Sequence, residues 1–268
     1  MMNTNKRTLL IRIVLLVAVA SLAILWLVKT PSGIFGKTDS VAYAVCHRME
    51  SHTYHMGERP MPLCARDTGM HLGILITLLF HFKWGKQAGM PTRKIQILLG
   101  IFFLAFAIDG VNSTLPVLII IKIDQWYEPL NWLRLATGAG LGIAMGSVLI
   151  PVINESLWVE VNQESALSSW SRFGQILLVT AIAGFTVTTE IPVLLYPLAI
   201  LTAADVLLIL TLIFTIVWVM IFNKDNHFQG WKALLWWLLA GFGTALALIA
   251  VMDWVRFSLT GTWDGFVF

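Results

Sequence analysis

Apolar residues run along this chain in long unbroken stretches, without the strict alternation of half-buried strands. A helix that crosses a bilayer needs about 20 mostly apolar residues. Seven stretches approach that length, at 9–28, 64–82, 95–115, 133–153, 176–200, 204–222 and 231–252. The pattern predicts an all-α polytopic transmembrane bundle of about seven spans. The second stretch is the least apolar. Pro116 near the end of the third, and Pro192 and Pro197 within the fifth, predict kinks or broken ends.

Composition sharpens this picture. Hydrophobic residues make up 57% of the 268-residue chain and charged ones only 12%, with a mean hydropathy of +0.78. Soluble domains carry roughly 25% charged residues, so most of this chain is expected to sit in lipid as a multi-pass protein of the cell membrane. The net charge of +3 is scattered, which argues against nucleic acid as a partner. Several of the 12 tryptophans lie near the ends of apolar runs, where indole rings favour the membrane interface. Lys6 and Arg7, followed later by Ala18-Val19-Ala20, resemble a signal peptide. The run continues to Val28, however, so an uncleaved helix is expected.

Short basic loops set the orientation. Lys6, Arg7 and Arg12 open the first span, Lys83, Lys86, Arg93 and Lys94 crowd the second loop, and Lys224 and Lys232 flank the sixth. A cytoplasmic amino terminus puts all three clusters inside, as the positive-inside rule requires. The segment 29–63, read as a loop, then lies outside despite Lys37, Arg48 and Arg59.

Several ionisable residues fall at membrane depth on this topology. Asp109 lies far enough into the third span to reach roughly 21 Å from its cytoplasmic end, and Asn112 shares its face. Glu190 in the fifth span is expected at similar height. Arg134 and Asp205 open the fourth and sixth spans from outside, and Asp253 closes the seventh. A charge in hydrocarbon costs several kcal/mol unless paired or hydrated, and so marks a functional site by default. The structural alternative is pairing, for example of Asp109 with Arg134, or snorkelling at helix ends.

Potential metal ligands concentrate in one segment. Cys46 and Cys64 are the only two cysteines, and with His47, His52, His55 and His71 they offer six soft or borderline ligands. Pro60 and Pro62 suit the start of the second span, which places Cys64 in its first turn, where the helix dipole favours thiolate. Steps of three and four residues then carry Asp67 and His71 onto the face of Cys64. Cys46, His47, Cys64, Asp67 and His71 are therefore candidate ligands for Zn²⁺ or another transition metal. A Cys46–Cys64 disulfide is the alternative. His52 and His55 read as solvated loop residues.

The stretch Cys46-His47, then Pro62-Leu63-Cys64-Ala65-Arg66-Asp67-Thr68-Gly69, resembles an uncharacterised prokaryotic family of polytopic membrane proteins, a domain of unknown function. Its signature is a CH pair followed by a block like PLCARCTG. Asp109-Gly110 and Arg134-Leu135-Ala136-Thr137-Gly138 match its later Asp-Gly and Arg-x-x-Thr-Gly elements. The resemblance covers roughly residues 41–151. It implies a membrane core over 1–151 and a three-span extension over 152–268. The family's third cysteine is Asp67 here, which implies a harder ligand set.

Three functions compete. The first is a metal-binding membrane protein and candidate membrane-embedded enzyme, with the catalytic group Asp109, Arg66 and Arg134 facing an anionic small molecule or a lipid substrate. The second is a cation- or proton-coupled transporter built on Glu190, Asp109 and Asp205. The third is a structural subunit or assembly factor, as a homo-oligomer or within a membrane complex. Gly138, Gly142 and Gly146, spaced as GxxxG, suit either a partner helix or packing within the bundle.

Overall fold

Residues 4–114 and 125–265 are described in the computed structural model of the chain, and eight helices account for most of them. The long apolar runs become α1 (Thr4–Lys29), α4 (Arg93–Thr114), α5 (Asn131–Leu157), α6 (Trp170–Thr188), α7 (Pro192–Ile221) and α8 (Trp231–Thr260). In hydrocarbon a backbone must satisfy its own N–H and C=O groups, and a helix does so within one segment. These six helices are long and apolar enough to cross a membrane. Only 11% of the most apolar window of α1 is buried within the protein. Leu9, Leu10 and Ile11 on α1, Phe103 and Leu104 on α4, and Ile182 and Phe185 on α6 are likewise exposed. Apolar surface on this scale requires lipid as its solvent. The protein is an all-α polytopic membrane bundle.

The second expected span is α3 (Ala65–Trp84). Its 20 residues make a helix roughly 30 Å long, but Arg66, Asp67 and Lys83 keep it below the apolarity of the other six. Half of its residues are buried, among them Gly69, Gly73, Ile74 and Thr77. The segment 29–63 contains a helix that the hydrophobic pattern did not reveal, α2 (Gly33–Val45). It is too short to register as a span.

The chain forms two compact units. One comprises residues up to 45 together with 155–160 and 203–264, and so holds α1, α2, α8 and most of α7. There Trp26 Nε1 on α1 donates to Asp253 Oδ2 on α8 at 2.8 Å. Trp218 Nε1 on α7 donates to Thr244 Oγ1 on α8 at 2.9 Å. Tyr43 at the end of α2 donates to the carbonyl of Thr262 at 2.7 Å.

The other unit comprises 46–154, 161–202 and Gly265 among the described residues, and contains α3, α4, α6 and nearly all of α5. Its core includes Ile76 of α3, Ile95 and Leu99 of α4, Ile143 of α5, and Phe173 and Ile176 of α6. At one end of this unit β3 (Gln87–Gly89) pairs in parallel with β4 (Asn162–Ser165), tying the α3–α4 connection to the α5–α6 connection. Lys86 and Arg172 sit at this end. The Cys/His segment lies at the other end, where β1 (His55–Met56) and β2 (Arg59–Pro60) form a small hairpin.

Glycine sets the distance between α3 and α5. A Cβ on Gly138 would collide with the carbonyl oxygen of Arg66, and one on Gly142 with that of Met70. From the other side, a Cβ on Gly69 would meet the Leu135 carbonyl and one on Gly73 the Ala139 carbonyl. The glycine spacing along α5 therefore serves packing within the bundle, with α3 as its partner.

Two expectations are corrected. The fifth stretch, 176–200, is not one span. The chain breaks after Thr188, where Glu190 adopts a left-handed φ of 53°, and Pro192 opens α7. Proline at the first helical position loses no hydrogen bond, and α7 continues through Pro197 without ending. Consequently Asp205 does not open a helix. It lies well inside α7, buried. Pro116 falls outside the described residues.

The glycine contact predicts a clear contrast in thermal unfolding of the detergent-solubilised protein. Gly142→Val, and to a lesser degree Gly142→Ala, should destabilise by about 1–3 kcal/mol through overpacking against the α3 backbone. Gly100→Ala and Gly174→Ala, where an added Cβ meets nothing within 4 Å, should leave the Tm near that of the parent.

Candidate metal centre

Three side chains converge where the Cys/His segment meets the start of α3. Cys46, His47 and Cys64 each present a ligand atom, all within 4.8 Å of one another. Both cysteines are buried and no disulfide joins them. Cys64 is the N-cap of α3, with extended backbone angles, and its own N–H donates to Cys46 Sγ at 3.4 Å. Cys64 Sγ lies 3.3 Å from Asp67 Oδ2 in the first turn of α3, a contact that takes one proton between the two groups. The hydrogen bond from Cys46 brings the pKa of the Cys64 thiol well below its ordinary value, and His47 adds to this against the opposing effect of burial. The same bond, followed by burial, holds the proton on Cys46.

Of the five expected ligands the structure therefore brings three together, with Asp67 touching one of them. His71, a turn further along α3, is buried and lies outside the triad. The donor set of two sulfurs and one imidazole suits a zinc-class ion. Tetrahedral coordination at about 2.0–2.3 Å per bond needs ligand atoms closer than 4.8 Å, a small contraction for side chains on a connecting segment.

Beside the triad lies a buried ion pair. Arg66, on the first turn of α3, donates from Nε to Asp109 Oδ2 on α4 at 3.0 Å, and its NH2 group contacts the same oxygen. NH2 also donates to Ser113 Oγ at 2.9 Å. Asp109 is 1% exposed, so this pairing meets the high cost of a carboxylate at depth. Its other oxygen accepts from the Tyr127 hydroxyl at 2.9 Å. Burial, with the bond to Asp109, pushes Tyr127 up to about 12, which keeps it a donor. Asn112 accepts from the N–H of Trp126 at 2.7 Å and donates to the carbonyl of Tyr127 at 2.9 Å, so it holds this segment over α4.

Arg134 does not pair with Asp109. Near the start of α5, it donates from NH1 to Asn131 Oδ1 and meets His52 Nε2 through NH2, each at 3.0 Å. Its Nε is buried without a hydrogen-bond partner among the described residues. Arg66 takes the carboxylate because it is placed against α4, whereas Arg134 points to the Cys/His segment. His52 is accordingly not a freely solvated loop residue. Burial, then the Arg134 charge, pulls it down to about 4, and its ring lies edge-on to His47 with centroids 5.2 Å apart. Glu190 does not lie within a helix. It occupies the α6–α7 turn, half exposed, and accepts from the His55 N–H at 2.9 Å.

Sequence reasoning missed Tyr127 and Ser113 as partners of Asp109. Ser113, four residues after Asp109, shares its helix face and was accessible to a spacing argument. Tyr127 returns from a connection whose path no periodicity reveals.

Fold and site together define a polytopic membrane protein with a Cys/His cluster over a buried ion pair. Residues 46–148 match a protein-family model described as a predicted membrane protein, DUF2085. The matched stretch begins at Cys46 and ends within α5, so it includes the triad, the Arg66–Asp109 pair and the α3–α5 contact. No curated protein and no solved structure matches the chain.

The ion pair predicts a strong coupling. Arg66→Met should destabilise by about 3–5 kcal/mol because it strands a buried carboxylate. In Arg66→Met/Asp109→Leu most of that loss should be regained. A double-mutant cycle on thermal unfolding in detergent measures the coupling, and additive effects would mean that the pair contributes no mutual stabilisation.

Proposed function

We propose that this protein binds a zinc-class transition metal through Cys46, His47 and Cys64 on the non-cytoplasmic face, and that the bound ion and Arg134 act on an anionic substrate. The observation that carries this reading is the approach of three soft ligand atoms from Cys46, His47 and Cys64 to within 4.8 Å of one another. Asp67, already in contact with Cys64, is the candidate fourth ligand.

When bound, such an ion polarises a substrate oxygen or a water. Arg66 is committed to Asp109, and its role is to fix the carboxylate against Tyr127 and Ser113. Arg134 has a different character. Its hydrogen-bond partners are neutral, and its Nε is unused among the described residues. A guanidinium whose direct hydrogen-bond partners are neutral favours an anion such as a carboxylate or phosphate. A half-exposed Glu190 in a turn is a poor element of a transmembrane cation path, which weakens the transporter reading.

A second reading has its own support. The Met49 N–H donates to His47 Nδ1 at 3.0 Å, so in a neutral ring the hydrogen resides on Nε2. That imidazole suits donation to a thiolate, and the two cysteines would then form a dithiol that closes to a disulfide under an external oxidant.

Elemental analysis of the purified protein, with thiols counted on the same sample, separates the readings. The metal reading expects about one equivalent of zinc or a related ion, lost in Cys64→Ser and in Cys46→Ser while Glu190→Gln retains it. Absence of metal together with two titratable thiols that oxidise as a pair would replace it with the dithiol reading.

A further inference from the structure

A second candidate site lies in the other unit, far in sequence from the cysteines. A cavity of about 490 Å³ opens between α1 and α8. Trp26, Trp254, Phe257 and Trp263 form aromatic walls around it, and Asp253 lines it as well. Asp253 is 3% exposed and sits on a membrane-length helix. One oxygen accepts from Trp26 Nε1 at 2.8 Å, while the other, Oδ1, is buried with no hydrogen-bond partner among the described residues. A carboxylate in that setting is costly and needs a positive partner.

Two basic side chains approach these groups, since the Arg256 charge acts on Asp253 and Lys37 Nζ lies 5.9 Å from the centroid of the Trp26 ring, but among the described residues neither donates to Oδ1. Arg256 donates from NH1 to the Tyr43 carbonyl at 2.6 Å and stacks 4.0 Å above the Tyr43 ring. Lys37 donates to the Thr30 hydroxyl at 2.8 Å and to the Thr30 and Leu27 carbonyls. Lys29 lines the cavity but is exposed, one turn beyond Trp26 at the end of α1.

We propose that this cavity binds an organic ammonium ion, held by the aromatic faces and neutralised by Asp253. A tetraalkylammonium spreads its charge over alkyl groups, needs no directed ligands, and is attracted by the negative faces of indole and phenyl rings. An inorganic cation would require several oxygen ligands, and Asp253 is the only carboxylate among the lining residues. An anion would meet the Asp253 charge, and a neutral lipid would gain nothing from it. The ammonium could belong to a free organic cation or to the head of an amphiphile, whose chain would follow the apolar wall at Leu22 and Leu25.

Calorimetric titration of the full chain in a non-ionic maltoside micelle tests this, with tetramethylammonium, octyltrimethylammonium and octyl sulfate as probes. The proposal expects saturable binding of an ammonium probe, weakened about tenfold or more in Asp253→Asn and in Trp254→Leu. Trp254 is 68% exposed, so its replacement leaves the core intact and keeps the test decisive if Asp253→Asn does not fold. Binding of both ammonium probes identifies a site for free organic cations, and binding of the octyl compound alone identifies an amphiphile head. The proposal is overturned if neither ammonium binds, or if octyl sulfate binds equally well and both variants match the parent.

Discussion

The close approach of α3 to α5 is the constraint from which the candidate site follows. Gly69 and Gly73 face α5, while Gly138 and Gly142 face α3, and each leaves room only for the opposing backbone. Water gives no hydrophobic drive for helix association inside a bilayer, so close van der Waals contact must supply it, and small residues permit that contact. Because Gly138 abuts the carbonyl of Arg66, the first turn of α3 has its position fixed on α5. That turn carries Arg66 and Asp67 and follows directly from Cys64. The same packing allows a helix with two charges in its first turn to lie in the bundle, since buried neighbours replace the lipid those charges would otherwise face.

Electrostatics then distribute the roles of the two arginines. Both are basic residues near helix starts at the same end of the unit, but their partners differ. Arg66 meets a carboxylate and forms a neutral pair whose remaining oxygen is occupied by Tyr127. Among the described residues Arg134 hydrogen-bonds an amide oxygen and a neutral imidazole. Its charge also contributes to keeping His52 unprotonated, which turns that ring into an acceptor. Arg134, which feels the charges of Asp109 and Cys64 without an ion pair to either, is available to an anion in a way that Arg66 is not.

Much of the architecture was legible because hydrocarbon imposes a simple rule on sequence. Long apolar runs had to be helices, and the glycines of α5 marked a close contact before its partner was known. Where that rule is silent, the reading failed. α2 is too short to be required by it, and the 176–200 run looked continuous because Glu190 and Pro192 interrupt it only at the level of backbone conformation. Asp109 was recognisable as a costly group, but its true partner depended on which helix faced which. Sequence spacing placed Cys64, Asp67 and His71 on one face of α3; Asp67 does contact Cys64, which caps the helix from an extended conformation. Spacing could not show that Cys46 and His47 return to Cys64 and not to His71, since that depends on the path of the connecting segment.

The choice between metal and dithiol turns on where the protons of the triad reside. A dithiol needs one thiolate as nucleophile and one protonated partner, and the hydrogen bond between Cys46 and Cys64 divides the protons in that way. A metal needs both thiols deprotonated and an imidazole nitrogen free of hydrogen. The first arrangement is what a protein relaxes to when no ion is present, because a buried thiolate must be stabilised by whatever donors remain. Proton placement in the metal-free protein therefore fails to discriminate, whereas the ligand chemistry does. In a dithiol, Asp67 and Cys64 Sγ hold one proton between them, so the sulfur is a thiolate only while the carboxyl is protonated. A cation at the centre would make Asp67 an asset, drawing it and both sulfurs toward one positive charge. The presence of Asp67 at 3.3 Å from Cys64 Sγ thus weighs toward the metal.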